Sequence, residues 1–196
     1  LVAVGGGAVG DAAGFAAATY YRGIPLIHVP TTLLAQVDSA IGGKTAVNHP
    51  RAKNAVRAFY QPIMTINDLS SLATQPRRDF LSGLAEAVKY ALVFDRDFAL
   101  RLSADWSAIV SKSPAALLAM IRRCVELKAA VVAQDERDLS GRRELLNFGH
   151  TLGHALESAA GLGVLRHGEA VIWGMRAALR LSHRCSGLKA SFAAEA

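Results

Sequence analysis

The stretch LLNFGHTLGHALE, residues 145–157, places His150 and His154 four apart, each directly preceded by a glycine. Residues four apart on a helix share a face, so both imidazoles could meet one ligand. That spacing leaves three readings open: two ligands of one metal ion, one ligand with a helper, or two structural histidines. His167, in LRHGEAVIWGM, precedes another helical pattern, and Asn147 is placed to cap the first one with His150 in its opening turn. Imidazoles at the positive ends of helices resist protonation, and the neutral form binds metal. Glu86 lies among Leu81, Leu84, Ala85, Val88, Ala91 and Leu92, so its carboxylate is expected to be buried. Buried carboxylates are normally paired or metal-bound. Glu86, His150, His154 and His167 therefore form a candidate site of His/Glu type suited to zinc or a similar divalent ion. His28, His49 and His183 have no such company and read as structural or surface residues.

Glycine inside a helix costs about 1 kcal/mol relative to alanine, so Gly149 and Gly153 ask for compensation, most simply close approach by another backbone or a ligand. A second glycine cluster, GGGAVGD at residues 5–11, sits between a strand and a helix, where backbone N–H groups can cradle a pyrophosphate. Its spacing departs from GxGxxG, and packing alone can also demand such glycines. In QVDSAIGGKTAVNHPRAKN, residues 36–54, Asp38, Lys44, Lys53 and Asn54 surround a Gly-Gly turn. This is either a phosphate pocket or a solvated loop. Glu86 and Lys89, three apart on one helix, form an expected ion pair.

These residues need elements to position them. LVAVGGG reads as a buried strand, AVGDAAGFAAATYY as a small-residue helix and PLIHVPTT as a second strand, the order of a βαβ unit with a parallel sheet. QPIMTINDL, residues 61–69, resembles a third strand. From Pro76 onward the patterns are helical, over 77–94, 96–110, 114–134, 147–160 and 168–185. The expected fold is an incomplete Rossmann-like α/β part over 1–74 followed by an all-α domain over 75–196.

Composition bounds the function. With 52% hydrophobic and 19% charged residues the chain forms a core. The net charge of +6 is scattered, without a basic run, which suits small anionic ligands and argues against nucleic acid. Cys124 and Cys185 match no metal or redox spacing and read as reduced thiols, pointing to the cytoplasm. No apolar run reaches the roughly 18 residues of a membrane span. The start at Leu1, inside a strand pattern, reads as a piece of a longer protein.

With GGGAVGD, TTLLAQVDSAIGGKTAVNHP, FYQP, SGLAEAVKY, ELKAAVVAQDER, LLNFGHTLGHALE and HGEAV in one order, the chain closely resembles the 3-dehydroquinate synthase family from residue 1 to about 180. The resemblance implies an NAD- and metal-dependent cyclase that converts 3-deoxy-D-arabino-heptulosonate 7-phosphate into 3-dehydroquinate and phosphate. It implies hydride removal to NAD, loss of phosphate, return of hydride, ring opening and aldol closure, with zinc or cobalt polarising the substrate oxygens.

Residue by residue, the resemblance assigns Glu86, His150 and His167 to the metal, with His154 facing the substrate phosphate. Gly5, Gly6, Asp11, Thr31, Thr32 and Lys53 match NAD-side positions. Asp38, Lys44, Asn54, Lys89, Lys128, Arg143 and Asn147 match substrate-site positions. Arg22, in YRGIP, matches an arginine that reaches the neighbouring subunit, which implies a homodimer. Arg51 and Ala52 depart from the family's usual leucine and glycine, and an extra residue in DERDLSGRREL sets Arg143 rather than Arg142 at the substrate. The alternatives are a related sugar-phosphate cyclase, a metal-dependent polyol dehydrogenase of the glycerol dehydrogenase type, or a piece that folds without turnover.

Overall fold

The computed structural model describes residues 1–49, 52–161 and 163–195, without the side chains of residues 48, 49, 52–54 and 193–195. Its first unit is the expected βαβ: β1 (Val2–Gly5), α1 (Gly7–Thr19) and β2 (Ile27–Pro30). β1 and β2 pair in parallel from Val2↔Ile27 to Gly5↔Pro30. On the other side of β2 lies β5 (Met64–Thr65), also parallel, giving the order β1-β2-β5. The expected strand over 61–69 is thus only two residues long, and its last expected residue, Leu69, begins a 3-10 turn that Asp68 caps through Ser70 N.

β1 is not the buried strand its apolar run suggests: Ala3 is 4% exposed, but Val2 is 58% and Val4 60% exposed. Successive strand residues face opposite ways, and β1 is an edge strand whose Ala3 side packs with Ala13 and Ala17 of α1. Residues 36–54 correct the loop reading. A π-helical turn over Ala35–Ser39 leads through Gly42 and Gly43 into an antiparallel hairpin, β3 (Lys44–His49) with β4 (Ala52–Phe59). Its Thr45 is buried, close enough to α1 that a Cβ on Gly14 would meet Thr45 Cγ2 at 2.3 Å.

The remainder is helical: α2 (Arg77–Phe94), α3 (Arg96–Ala104), α4 (Trp106–Val110), α5 (Pro114–Gln134), α6 (His150–Ala160), α7 (His167–Cys185) and α8 (Ala190–Glu195). α2 and α5 keep their expected bounds, each opened by the proline that suits a helix start. The expected helix over 96–110 is split, because Asp105 leaves helical geometry (ψ 5°) to end α3 and begin α4. One hydrophobic core runs from Leu33, Val37 and Leu72 into Phe80, Tyr90 and Ile121, so the α/β part and α2, α3 and α5 are packed together. Among the described residues, no helix is long and apolar enough to cross a membrane.

Candidate functional site

Glu86 sits in the middle of α2 and is fully buried. His150 and His167 are the first residues of α6 and α7. Both turn Nε2 towards the same carboxylate oxygen: His150 Nε2 lies 3.5 Å and His167 Nε2 3.4 Å from Glu86 Oε1, while the Lys89 ammonium makes an ion pair with Oε2. The ligand atoms of Glu86, His150 and His167 lie within 4.8 Å of one another. His154, one turn along α6, has its ring centroid 5.4 Å from that of His150 and 6.0 Å from that of His167, outside the Glu86 group.

Close glycine contacts produce this convergence. Gly149 takes a left-handed backbone (φ 80°) and caps α6, so Asn147, which ends a separate 3-10 turn over Arg142–Asn147, does not cap it as expected. A Cβ on Gly174 would sit 1.8 Å from Gly149 O, and one on Gly168 would sit 1.9 Å from Ser82 O. Gly168 N also donates to Ser82 Oγ at 2.9 Å. α7 is thereby pressed against the start of α6 at one point and against α2 at another, four residues before Glu86. The compensation that Gly149 and Gly153 require is the backbone of α7: a Cβ on Gly153 would meet Val171 Cα at 3.2 Å.

Burial pushes the Glu86 carboxyl up and Asp38 adds to this, but His167, Lys89 and His150 together hold it below its usual value. Neither of its buried oxygens makes a well-formed hydrogen bond. A desolvated carboxylate facing two imidazole nitrogens is a two-nitrogen, one-oxygen donor set, which fits a catalytic zinc-type ion with a coordination position left open. Burial lowers His150, as expected for a neutral ligand. His167 departs from that expectation: burial lowers it, but contact with Glu86, reinforced by Glu157, raises it above the ordinary histidine value.

A second polar group adjoins the first. Lys128, buried in α5, donates to Asp38 Oδ1 at 2.5 Å and to the Asp38 carbonyl at 2.7 Å, and Tyr90 Oη donates to Asp38 Oδ1 at 2.7 Å. Burial raises the Asp38 carboxyl, yet Lys128, Lys89 and these hydrogen bonds carry it well below the carboxylate range. Burial lowers Lys128 against the pull of Asp38. Arg143 is buried and donates to Glu136 O at 2.9 Å and Gly42 O at 3.3 Å, with Nε left without a partner. Arg142 is exposed and bonded to Gln134. Lys89, Lys128 and Arg143 are cations already removed from water, an arrangement suited to an anionic small molecule.

The glycine cluster lies at the carboxyl ends of β1 and β2, the crevice in which open α/β sheets bind ligands. Thr31 N donates to Gly5 O at 2.9 Å, and a Cβ on Gly6 would meet Thr32 Cγ2 at 3.1 Å. Asp11, one turn into α1, is pushed up to about 6 by burial, with Lys128 opposing and Asp38 adding. A cleft of about 530 Å³ runs past Asp11, Lys44, Arg57, Arg137 and Asp138, and Lys44 there is paired with Asp138 at 2.6 Å.

The structure thus brings together Glu86, Lys89, His150, His154 and His167, joins Asp38 to Lys128, and sets Gly5, Gly6, Thr31 and Thr32 side by side. Arg22 is exposed, and neither it nor exposed Asn147 makes a side-chain hydrogen bond among the described residues. The Lys53 and Asn54 side chains lie outside the described residues. Sequence reasoning missed Tyr90, Glu157 and Ser39, whose buried Oγ has no partner and lies close to Gly7. Glu157 carried a signal: it follows His150 by seven, on the same helical face.

The sequence matches the family model described as 3-dehydroquinate synthase N-terminal over residues 1–82 and that described as 3-dehydroquinate synthase C-terminal over 83–195. It is 56% identical over 182 residues to a 3-dehydroquinate synthase of Pelobacter propionicus, covering 93% of this chain and 50% of that protein. A solved 2-epi-5-epi-valiolone synthase of Streptomyces hygroscopicus with NAD+ and Zn2+ bound superposes with TM-score 0.86 at 35% identity, over 93% of this chain and 51% of that one. A 2-deoxy-scyllo-inosose synthase complexed with carbaglucose-6-phosphate, NAD+ and Co2+ gives TM-score 0.86 at 34% identity, over 99% and 52%. The chain spans about half the length of these relatives. Matched from one end to the other by the two models, it belongs to the 3-dehydroquinate synthase family.

Proposed function

We propose that this chain supplies the metal centre and much of the substrate pocket of an NAD- and divalent-metal-dependent cyclase that turns 3-deoxy-D-arabino-heptulosonate 7-phosphate into 3-dehydroquinate and phosphate. The observation that carries the reading is the convergence of Glu86, His150 and His167 beside buried cations. When bound, zinc or cobalt supplies a Lewis acid and NAD a hydride acceptor that is regenerated. In this reading residues 1–74 face the dinucleotide through Gly5, Gly6, Asp11, Thr31, Thr32 and Lys53. Residues 75–196 carry the metal and most of the substrate contacts.

The chain's own side chains then have separable tasks. Lys128 and Arg143, with Asn147, hold the substrate carboxylate, and the burial of the two cations makes their contacts stronger than they would be in water. Lys44, Asn54 and His154 hold the phosphate end, with Arg22 contributed across a homodimer. Asp38 fixes the Lys128 ammonium, and Lys89 balances Glu86. Preorganised cations of this kind stabilise charge as phosphate departs without reorganising during the reaction.

The two buried cations Lys128 and Arg143 favour a carboxylate-bearing substrate over the carboxylate-free sugar phosphates of related cyclases. A polyol dehydrogenase would accumulate NADH, whereas this reaction recycles it. The test uses a protein carrying this chain at the full length of its relatives. Phosphate release should require both NAD and a divalent ion, without steady NADH formation. Undiminished release after removal of both, or continuous NADH production, would sink the proposal.

A further inference from the structure

Glu157 follows His150 by seven residues and His154 by three, so all three share one face of α6. From there it reaches α7: Glu157 Oε2 lies 3.6 Å from His167 Nδ1, while the opposite ring nitrogen, Nε2, lies 3.4 Å from Glu86 Oε1. His150 repeats this arrangement with another partner, Nε2 at 3.5 Å from Glu86 Oε1 and Nδ1 at 3.2 Å from the Phe148 carbonyl. Both imidazoles therefore turn the same nitrogen inward and present the other to an acceptor. An acceptor on the outer nitrogen decides which nitrogen carries the proton, leaves the inner lone pair available and restrains rotation of the ring.

We infer that Glu157 is a positioning residue for His167, holding its ring so that Nε2 faces the Glu86 carboxylate. The inference rests on the reading of Glu86, His150 and His167 as a metal centre. At 3.6 Å the contact is longer than a formed hydrogen bond, so Glu157 acts on the ring mainly through the attraction of its charge for the Nδ1–H side. Its side chain is only 19% exposed, so that charge is not fully screened by water.

A competing arrangement uses the same atoms. His154, Glu157 and His167 also bring ligand atoms within 4.8 Å of one another, which would allow a second cation on the outer side of His167. His167 would then serve two ions through both nitrogens and lose its last ring N–H proton. A carboxylate guiding a single-ion ligand requires no such loss.

Zinc titration of the metal-stripped chain against a chromophoric chelator tests this, with the visible spectrum of the cobalt-loaded protein as a second readout. The wild type is expected to take up one zinc. Glu157→Ala should bind it about 10–100-fold more weakly, the usual effect of removing an outer partner of a metal-bound histidine. Glu157→Gln keeps an acceptor oxygen but not the charge, and should fall in between, with a cobalt spectrum closer to wild type than that of Glu157→Ala. A purely structural role would not order the spectra in this way. If Glu157→Ala fails to fold, Glu157→Gln decides alone: affinity equal to wild type overturns the inference. Two zincs per wild-type chain with one lost in Glu157→Ala would overturn it in favour of the second cation. A wild type without stoichiometric zinc would instead sink the metal-centre reading beneath it.

Discussion

Replacing Gly174 by alanine adds one methyl group where α7 rests on the start of α6. The new Cβ would lie 1.8 Å from the Gly149 carbonyl oxygen, 2.8 Å from its carbon and 3.0 Å from Gly153 N. Ordinary contact begins at 3.4 Å, so the two backbones must part locally by roughly 1.5 Å. In an unobstructed helix the same change would stabilise by about 1 kcal/mol. Here the obstruction is main chain, which cannot rotate aside as a side chain would. Overpacking against main chain, at the upper end of its usual range, about 2–3 kcal/mol, therefore decides the sign, for a net loss of about 1–2 kcal/mol. In a chain of this size that lowers the melting temperature by about 2–8 °C. The same displacement moves His150, the residue after Gly149, relative to Glu86 and His167, so zinc affinity should fall although Gly174 touches no ligand atom. Differential scanning calorimetry of the metal-free protein and a zinc titration measure the two effects separately. A Gly174→Ala chain that melts at or above the parent temperature, or that keeps parental zinc affinity, would refute the claim that close glycine packing builds the site.

The remaining expectations concern single groups. His150→Ala should lose bound metal, since two remaining protein ligands hold zinc poorly, whereas His154→Ala should keep near-normal content; elemental analysis showing equal loss in both would mean the pair binds jointly. Lys128→Met leaves the Asp38 carboxylate without its ammonium partner in a largely buried site, which should cost about 3–5 kcal/mol in denaturant unfolding. A loss below about 1 kcal/mol would show that water reaches Asp38 freely. Asp11 has a folded pKa raised to about 6 from 3.8, so the folded state binds its proton more tightly than the unfolded chain. That contribution is fully present below pH 3.8 and lost as pH rises through about 6. Asp11→Asn should thus be more stable than wild type at pH 7, by at most about 3 kcal/mol before discounting for partial exposure, and similar to it below pH 4. Parallel melting curves across pH 4–7 would contradict this.

What the sequence disclosed, and what it hid, divides along physical lines. α2 and α5 were readable to the residue because their boundaries are local: an opening proline, a sustained apolar period and an aspartate just beyond the end. The β3–β4 hairpin was not, because its strands mix lysines, asparagines and a histidine among their apolar residues, and the burial of Thr45 comes from α1, some thirty residues earlier. β1 misled in the opposite sense: an apolar run says that a strand can be buried, but only the sheet order says which of its faces is covered. The site shows the same division. Residue types and helix starts singled out Glu86, His150, His154 and His167, since each constraint lies within one helix, and only the family resemblance set His154 apart from the other three. Nothing local could say that three helices meet. Arg142 and Arg143 are identical neighbours in sequence, and only tertiary packing sends one to solvent and the other beneath Gly42. The glycines mark where the two kinds of information join. A glycine inside a helix is a local anomaly visible in sequence, and it records a non-local contact without naming the partner. Here Gly149 and Gly153 answer to α7, and Gly168 of α7 answers to Ser82 of α2. His150 and His167 each stand one residue from such a contact, beside Gly149 and Gly168, so the packing that a sequence can only hint at is also what sets the distances between these candidate ligand atoms.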